Sequence, residues 1–66
     1  MSMTTEWIGQ CIEDGDTKQV YLKNGIRLVG VVLKQDDQAF VLRGQTGSEL
    51  LIFKDVVSTI VRIPEK

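Results

Sequence analysis

Few side chains in this 66-residue sequence have the chemistry of a catalytic centre. The sequence contains no histidine, which removes the commonest general base and the commonest metal ligand. Its single cysteine, Cys11, lies on the apolar face of a predicted helix, so we expect a core residue rather than a nucleophile. The adjacent carboxylates Asp36 and Asp37 are typical of a solvated turn, and the segment 44–47 lacks the spacing of a phosphate-binding loop. These residues predict neither an enzyme nor a bound metal or cofactor.

The strongest folding signal is the stretch 20–32, which reads V-Y-L-K-N-G-I-R-L-V-G-V-V. Two alternating apolar runs flank Asn24-Gly25, and this pattern predicts a β-hairpin closed by a type I′ turn with positive φ at both residues. Gly30 interrupts the second run, and a glycine at such a position commonly marks a bend or a bulge. The pattern favours a sharply bent second strand.

A short helix is predicted before the hairpin, over about residues 4–13. Thr4 or Thr5 is a suitable N-cap, and the acidic segment 13–16 ends the helix. One face carries a stripe of apolar side chains, formed by Trp7, Ile8, Cys11 and Ile12. We therefore expect the helix to lie as a lid over an open end of a barrel.

Five strands are predicted after the helix, at 18–23, 26–35, 39–43, 50–53 and 58–63, with Pro64 ending the last one and a short tail over 64–66. Short strands with tight connections predict a mainly β protein with a five-stranded, strongly bent antiparallel barrel, in a single domain over 1–66. The last two strands are so apolar that free edges would invite aggregation. Pairing the fourth strand of one subunit with the fifth of the next predicts a head-to-tail ring.

Charge is unevenly distributed along the chain, although the net charge is −1. Residues 1–17 carry four acidic and no basic side chains, whereas residues 18–66 carry eight basic and five acidic ones. A polyanion would therefore meet the barrel rather than the helix. The sequence has no leader pattern and no apolar run near the roughly 20 residues that span a membrane, so we expect a soluble, cytoplasmic protein.

Two segments resemble the Sm motifs of the bacterial Hfq family. V-Y-L-K-N-G-I-R-L-V-G at 20–30 is similar to the first motif, and F-K-D-V-V-S-T-I-V at 53–61 is similar to the second. The spacing, the Asp37-Gln38 pair and the N-terminal helix also fit, so the resemblance covers about residues 4–63. It implies a homo-oligomeric ring, usually a hexamer, that binds single-stranded RNA as an RNA chaperone in post-transcriptional regulation.

The resemblance implies a first RNA surface, the distal face, where the family threads A-rich RNA. The residues that match its lining are Tyr21, Leu22, Asn24, Gly25, Ile26, Arg27, Leu28 and Thr59. The Tyr21 ring offers a stacking surface worth about 1–3 kcal/mol per base, beside Arg27 and Lys23 for phosphate. The alternative for Tyr21 is a half-buried strand aromatic between subunits. Val29 and Leu50 stand where other members use glutamines to read adenine, which predicts weaker adenine selectivity.

A second implied surface, the proximal face, lies on the helix-bearing side, where the family binds uridine-rich RNA. Gln38 and Lys54 match this site, and Phe53 keeps the ring of the family's tyrosine without the hydroxyl. Asp55 replaces a histidine and Ala39 replaces an aromatic residue, which predicts repulsion of phosphate and a lost stacking partner. Alternatively, Asp55 caps the turn before the last strand. We expect A-rich RNA to be preferred over U-rich RNA.

A third implied surface is the outer rim, where many members carry arginines at the end of the helix. The matching stretch 12–16 reads I-E-D-G-D, so the reversed charge predicts no annealing of RNA there. These departures leave two functions open: an RNA-binding ring that uses mainly the distal face, or a scaffold ring that holds proteins with reduced or no RNA binding. Salt-sensitive RNA binding distinguishes them, because phosphate contacts weaken as salt rises.

Overall fold

The computed structural model describes residues 2–62, so the predicted end of the last strand at Ile63 and Pro64 and the tail 64–66 lie outside the described residues. Within that part of the chain one helix precedes five strands. The bounds are α1 (Met3–Asp14), β1 (Thr17–Leu22), β2 (Arg27–Gln35), β3 (Ala39–Arg43), β4 (Glu49–Phe53), a 3-10 turn (Lys54–Val56) and β5 (Val57–Val61). The predicted helix and strands are confirmed, and their bounds shift by at most one residue where both ends are described.

All five strands belong to one antiparallel sheet in the order β4-β3-β2-β1-β5. The first and last strands of this order, β4 and β5, are therefore the two edges of the sheet. A short N-terminal helix followed by a strongly bent antiparallel sheet is the fold that the sequence predicts. A ring requires several copies of this chain, so the assembly of subunits into a ring stays a prediction.

The bend of β2 depends on two features that lie close together. A Cβ added to Gly30 would lie only 2.3 Å from the carbonyl oxygen of Arg43 in β3, so the close approach of the two backbones requires a glycine. The register between β2 and β3 then shifts between Val32 and Lys34. The bulge that the sequence associates with Gly30 thus lies a few residues after it, and bulges increase local twist and bending.

The hairpin between β1 and β2 is confirmed, but the predicted type I′ turn is wrong. Among residues 2–62 no non-glycine residue has a positive φ; Gly25 has a φ of 92° and Asn24 is not left-handed. The amide of Gly25 donates to the Leu22 carbonyl at 2.9 Å, and that of Leu22 to the Ile26 carbonyl at 2.8 Å. The Asn24 side chain accepts a bond from the Ile26 amide at 3.1 Å. This local bond favours a three-residue loop with one left-handed glycine over the two-residue turn.

Helix α1 begins before the predicted cap residues. Ser2 has extended backbone angles, and its hydroxyl accepts a hydrogen bond from the Thr5 amide at 3.1 Å. Thr4 and Thr5 lie inside the first turn, so the predicted N-cap at either of them is wrong. The helix ends at Gly15, whose φ of 70° is easily adopted by glycine.

The hydrophobic core lies between α1 and one face of the sheet. Its buried members are Ile8, Cys11, Val20, Val32, Phe40, Leu42 and Ile52. Ile12 packs against this cluster, whereas Trp7 remains 41% exposed, so the predicted apolar stripe is only partly buried. Burial raises the pKa of the Cys11 thiol, which agrees with the predicted core role.

Candidate functional site

Three of the predicted distal-face residues form a row across adjacent strands. Tyr21 in β1 lies directly opposite Arg27 in β2 on one side and Thr59 in β5 on the other. Directly opposite residues in a sheet share a face. Val20, the neighbour of Tyr21 in sequence, is fully buried, so the alternation along β1 places the row on the outer face. An aromatic ring, a guanidinium and a hydroxyl therefore stand side by side on an accessible surface.

The other predicted distal residues divide into two groups. Leu22 and Leu28 are partly buried and pack against the core, so these side chains support the face from below rather than line it. Asn24 and Gly25 lie in the exposed hairpin loop at the end of the row, and Ile26 directly follows this loop. Ile26 is 51% exposed, which is high for an isoleucine side chain.

Gln19 belongs to the same surface, although no motif in the sequence includes it as a site residue. Its side-chain oxygen accepts a hydrogen bond from the Tyr21 hydroxyl at 3.2 Å. The two residues are two positions apart in β1, so the period of a strand already places them on one face. Gln19 also lies opposite Val29 in β2.

Two predicted proximal residues, Gln38 and Lys54, are adjacent in the structure. The Lys54 amide donates to the Gln38 carbonyl at 2.8 Å. The turn carrying Gln38 is fixed by Asp36, whose carboxylate accepts bonds from the amides of Gln38 and Ala39 at 2.8 and 2.9 Å. These bonds lower the pKa of Asp36, because they stabilise the charged form.

The Lys54 side chain reaches toward helix α1. Its ammonium donates a 2.9 Å hydrogen bond to the side-chain oxygen of Gln35, at the end of β2. The amide nitrogen of Gln35 donates in turn to the Thr5 carbonyl at 3.0 Å. Nothing in the sequence marked Gln35 for this role, because the link joins three segments that are distant along the chain.

Phe53, Ala39 and Asp55 differ strongly in exposure. Phe53 is 54% exposed on the edge strand β4, opposite Ala39 in β3, which is only 5% exposed. Asp55 is exposed in the turn Lys54–Val56, and within residues 2–62 no side-chain hydrogen bond caps this turn. The alternative role of Asp55 as a cap is therefore wrong, and its carboxylate faces solvent beside Lys54.

The acidic rim is partly neutralised by a lysine. Lys18 is only 2% exposed, and its ammonium lies 3.2 Å from an Asp14 oxygen and also binds Asp16. Burial lowers the pKa of Lys18, but the hydrogen bonds with Asp16 and Asp14 outweigh that effect and raise it. The same bond lowers the pKa of Asp16. The local excess of negative charge at the end of α1 is thus smaller than the sequence suggests.

Arg62 and Trp7 extend this ion-pair cluster to β5. The Arg62 guanidinium lies 4.7 Å from the centre of the Trp7 ring and 3.6 Å from Asp14. The Trp7 indole donates a 3.1 Å hydrogen bond to the Ile60 carbonyl. The cluster therefore fastens the middle and the C-terminal end of α1 to the sheet and gives Trp7 a structural role.

A short helix followed by a five-stranded, strongly bent antiparallel sheet defines the class of Sm-like proteins. Residues 10–66 match the sequence profile of the family described as Hfq protein. The chain therefore belongs to the Hfq family, a family of Sm-like, non-enzymatic RNA chaperones.

The fold is also similar to a solved structure described as a crystal structure of the pleiotropic translational regulator Hfq. The match has a TM-score of 0.84 and 23% sequence identity, and covers 92% of this chain and 100% of that one. At this identity the match supports the fold. A comparison with curated proteins gave no match. No helix among the described residues is long and apolar enough to cross a membrane.

Proposed function

We propose that this protein is a cytoplasmic, single-stranded RNA-binding ring that acts as an RNA chaperone in post-transcriptional regulation, with RNA engaged mainly on the distal face. Family membership supports the general function. The observation that carries the distal assignment is the outward row of Arg27, Tyr21 and Thr59 across three neighbouring strands.

The chemistry of this row suits a single strand of RNA. The Tyr21 ring provides a face for one base, and Arg27 with Lys23 provides positive charge for the phosphates. The hairpin loop at Asn24 and Gly25 extends the surface. Leu22 and Leu28 fix the strands beneath it.

We expect this surface to favour A-rich RNA through stacking and shape. Because Val29 and Leu50 are apolar, we expect the edges of the bases to be read only weakly.

The proximal face is proposed as a weaker second site. Lys54 and Gln38 are adjacent, and the exposed ring of Phe53 can stack on a base. The exposed Asp55 carboxylate lies next to Lys54 in sequence and opposes the approach of phosphate. We therefore expect U-rich RNA to bind less tightly than A-rich RNA.

Assembly into a ring, with six subunits as the expected number, completes the proposal. The two sheet edges are β4 and β5, as head-to-tail pairing requires. The β4 edge exposes three large apolar side chains, Leu50 at 41%, Leu51 at 63% and Phe53 at 54%. Exposed apolar edges of this kind favour pairing with another strand.

A second candidate is a scaffold ring of the same fold with reduced or no RNA binding. The observation that favours it is that Asp55 is exposed and that the described turn around it has no side-chain cap. In a ring, one such carboxylate from each subunit would place negative charge around the central opening. It also fits the absence of an arginine cluster at residues 12–16.

Fluorescence anisotropy of labelled oligo(A) and oligo(U), at low and moderate salt, tests the proposal. We expect oligo(A) to bind more tightly than oligo(U), with an affinity that falls steeply as salt rises. If neither oligonucleotide binds at low salt, RNA binding is rejected and the scaffold ring is favoured. If Tyr21→Ala weakens oligo(A) binding and oligo(U) binding equally, the assignment of the two oligonucleotides to two different faces is rejected.

A further inference from the structure

The side chain of Gln35 connects Lys54 to helix α1. The Gln35 oxygen accepts from the Lys54 ammonium at 2.9 Å, and the Gln35 nitrogen donates to the Thr5 carbonyl at 3.0 Å. Both polar groups of this half-buried amide are therefore used, and they join the end of β2 to α1 and to the turn after β4. An amide that bonds on both sides has a fixed orientation.

The link determines where the Lys54 charge is presented. A lysine side chain normally samples many rotamers, and ordering it costs free energy on binding. Here the backbone of Lys54 is held by Gln38, and its ammonium is held by Gln35. An ammonium has three N–H donors, so one bond to Gln35 leaves two for a ligand.

We propose that Gln35 is a positioning residue that orders Lys54 for contact with a phosphate of single-stranded RNA on the proximal face. The RNA part of this inference rests on the proposed function. Gln35 does not touch the RNA in this arrangement; it acts through Lys54. Its effect is to lower the entropic cost of the phosphate contact.

The first experiment needs no RNA and measures how well Lys54 is held. The intact protein is treated with an acetylating reagent, and mass spectrometry gives the modification rates of Lys54 and of the exposed Lys23. We expect Gln35→Met to raise the Lys54 rate severalfold while the Lys23 rate stays the same, because the hydrogen bond that protects the amine is removed. Gln35→Glu should restore slow modification, since it keeps an acceptor for Lys54.

The second experiment measures the affinity for labelled hexauridylate at low salt. Loss of preorganisation in Gln35→Met should weaken binding about two- to tenfold. In a Lys54→Met background the same change should have no effect, because the two residues act as a unit. Gln45→Met, the same replacement in the β3–β4 loop, serves as the control and should bind like the unchanged protein. Circular dichroism verifies that each variant is folded.

The two experiments separate the possible failures. If Gln35→Met leaves the Lys54 acetylation rate unchanged, Gln35 does not hold Lys54 and the inference is overturned. If the rate rises but Lys54→Met has no effect on hexauridylate affinity, Lys54 is not a phosphate contact, which overturns the RNA role of both residues. If the unchanged protein binds no RNA at all, the proposed function fails, while the acetylation result still decides whether Gln35 orders Lys54.

Discussion

Tyr21 is the residue on which the proposed distal site depends most directly. Its ring lies between Arg27 and Thr59 on the outer face, and its hydroxyl bonds to Gln19. We expect Tyr21→Ala to weaken oligo(A) binding by about 1–3 kcal/mol, because one stacking surface per subunit is lost. Tyr21→Phe keeps the ring and should retain most of the affinity. Anisotropy titrations at fixed salt measure both, and equal losses in the two variants would contradict stacking.

Asp55 gives a second prediction at the scale of one residue. Its carboxylate is exposed and caps no turn among the described residues, so its removal should cost little stability. Asp55→Asn should strengthen oligo(U) binding on the order of 1 kcal/mol, the interaction of two unit charges about 4 Å apart in water. Glu13→Gln removes the same charge from the rim and is the matched control. A gain of equal size in Glu13→Gln would attribute the effect to net charge rather than to the proximal face.

The strands β2 and β3 approach closely at Gly30, and this geometry predicts the outcome of a substitution. A Cβ at Gly30 would lie 2.3 Å from the Arg43 carbonyl oxygen, so a backbone must move. We expect Gly30→Ala to destabilise the fold by about 1–3 kcal/mol. Each kcal/mol lowers the melting temperature of so small a domain by about 4–8 °C. Gly44→Ala is the control, since its nearest atom would be the Ser48 oxygen at 3.8 Å; an equal loss there would contradict the steric cause.

The connection between α1 and β1 predicts a pH dependence of stability. The hydrogen bond from Lys18 lowers the pKa of Asp16 in the folded protein. The pair therefore stabilises the fold above the unfolded-state pKa of 3.8, and this contribution is lost as the pH falls through the lower folded value. The pKa of Lys18 is raised, so the alkaline loss begins above its ordinary value of 10.5.

Urea unfolding midpoints between neutral and acidic pH measure this dependence. Asp16→Asn should be less stable than the unchanged protein at pH 7, and the two midpoints should converge as the carboxylate becomes protonated. Asp37→Asn, in the exposed turn between β2 and β3, should show no such convergence. A constant difference between Asp16→Asn and the unchanged protein at every pH would contradict an ionic origin.

At the scale of elements, the sequence predicts what depends on local pattern and not what depends on distant contacts. Alternating apolar residues and the Asn24-Gly25 pair located the hairpin, because strand period and turn composition are local signals. The turn type was missed, since the Asn24 side chain bonds to the Ile26 amide and stabilises a longer loop. The sequence predicts the acidic end of α1 but not the ion pairs that this end forms with buried Lys18. The burial of that lysine results from the packing of α1 on the sheet, which is not a local signal.

The same limit applies to the candidate site as a whole. The row of Arg27, Tyr21 and Thr59 was predicted by motif resemblance, and strand pairing brings these residues together. Leu22 and Leu28 were expected to line the distal face, whereas the strand period turns them toward the core. Gln35 could not be predicted, because its contacts with Thr5 and Lys54 exist only after the sheet and helix have packed.

The whole molecule is expected to be a ring, and this can be tested through its edges. Light scattering at micromolar concentration should give a mass of about 44 kDa, six chains of 7.4 kDa each. Leu51 is 63% exposed on the edge strand β4, and a lysine on an edge strand opposes pairing with a second strand. We expect Leu51→Lys to shift the protein toward single chains, whereas Thr46→Lys in the β3–β4 loop should leave the mass unchanged. A stable monomer in the unchanged protein would contradict the pairing of β4 with β5, and a full-size assembly in Leu51→Lys would show that another surface holds the subunits together.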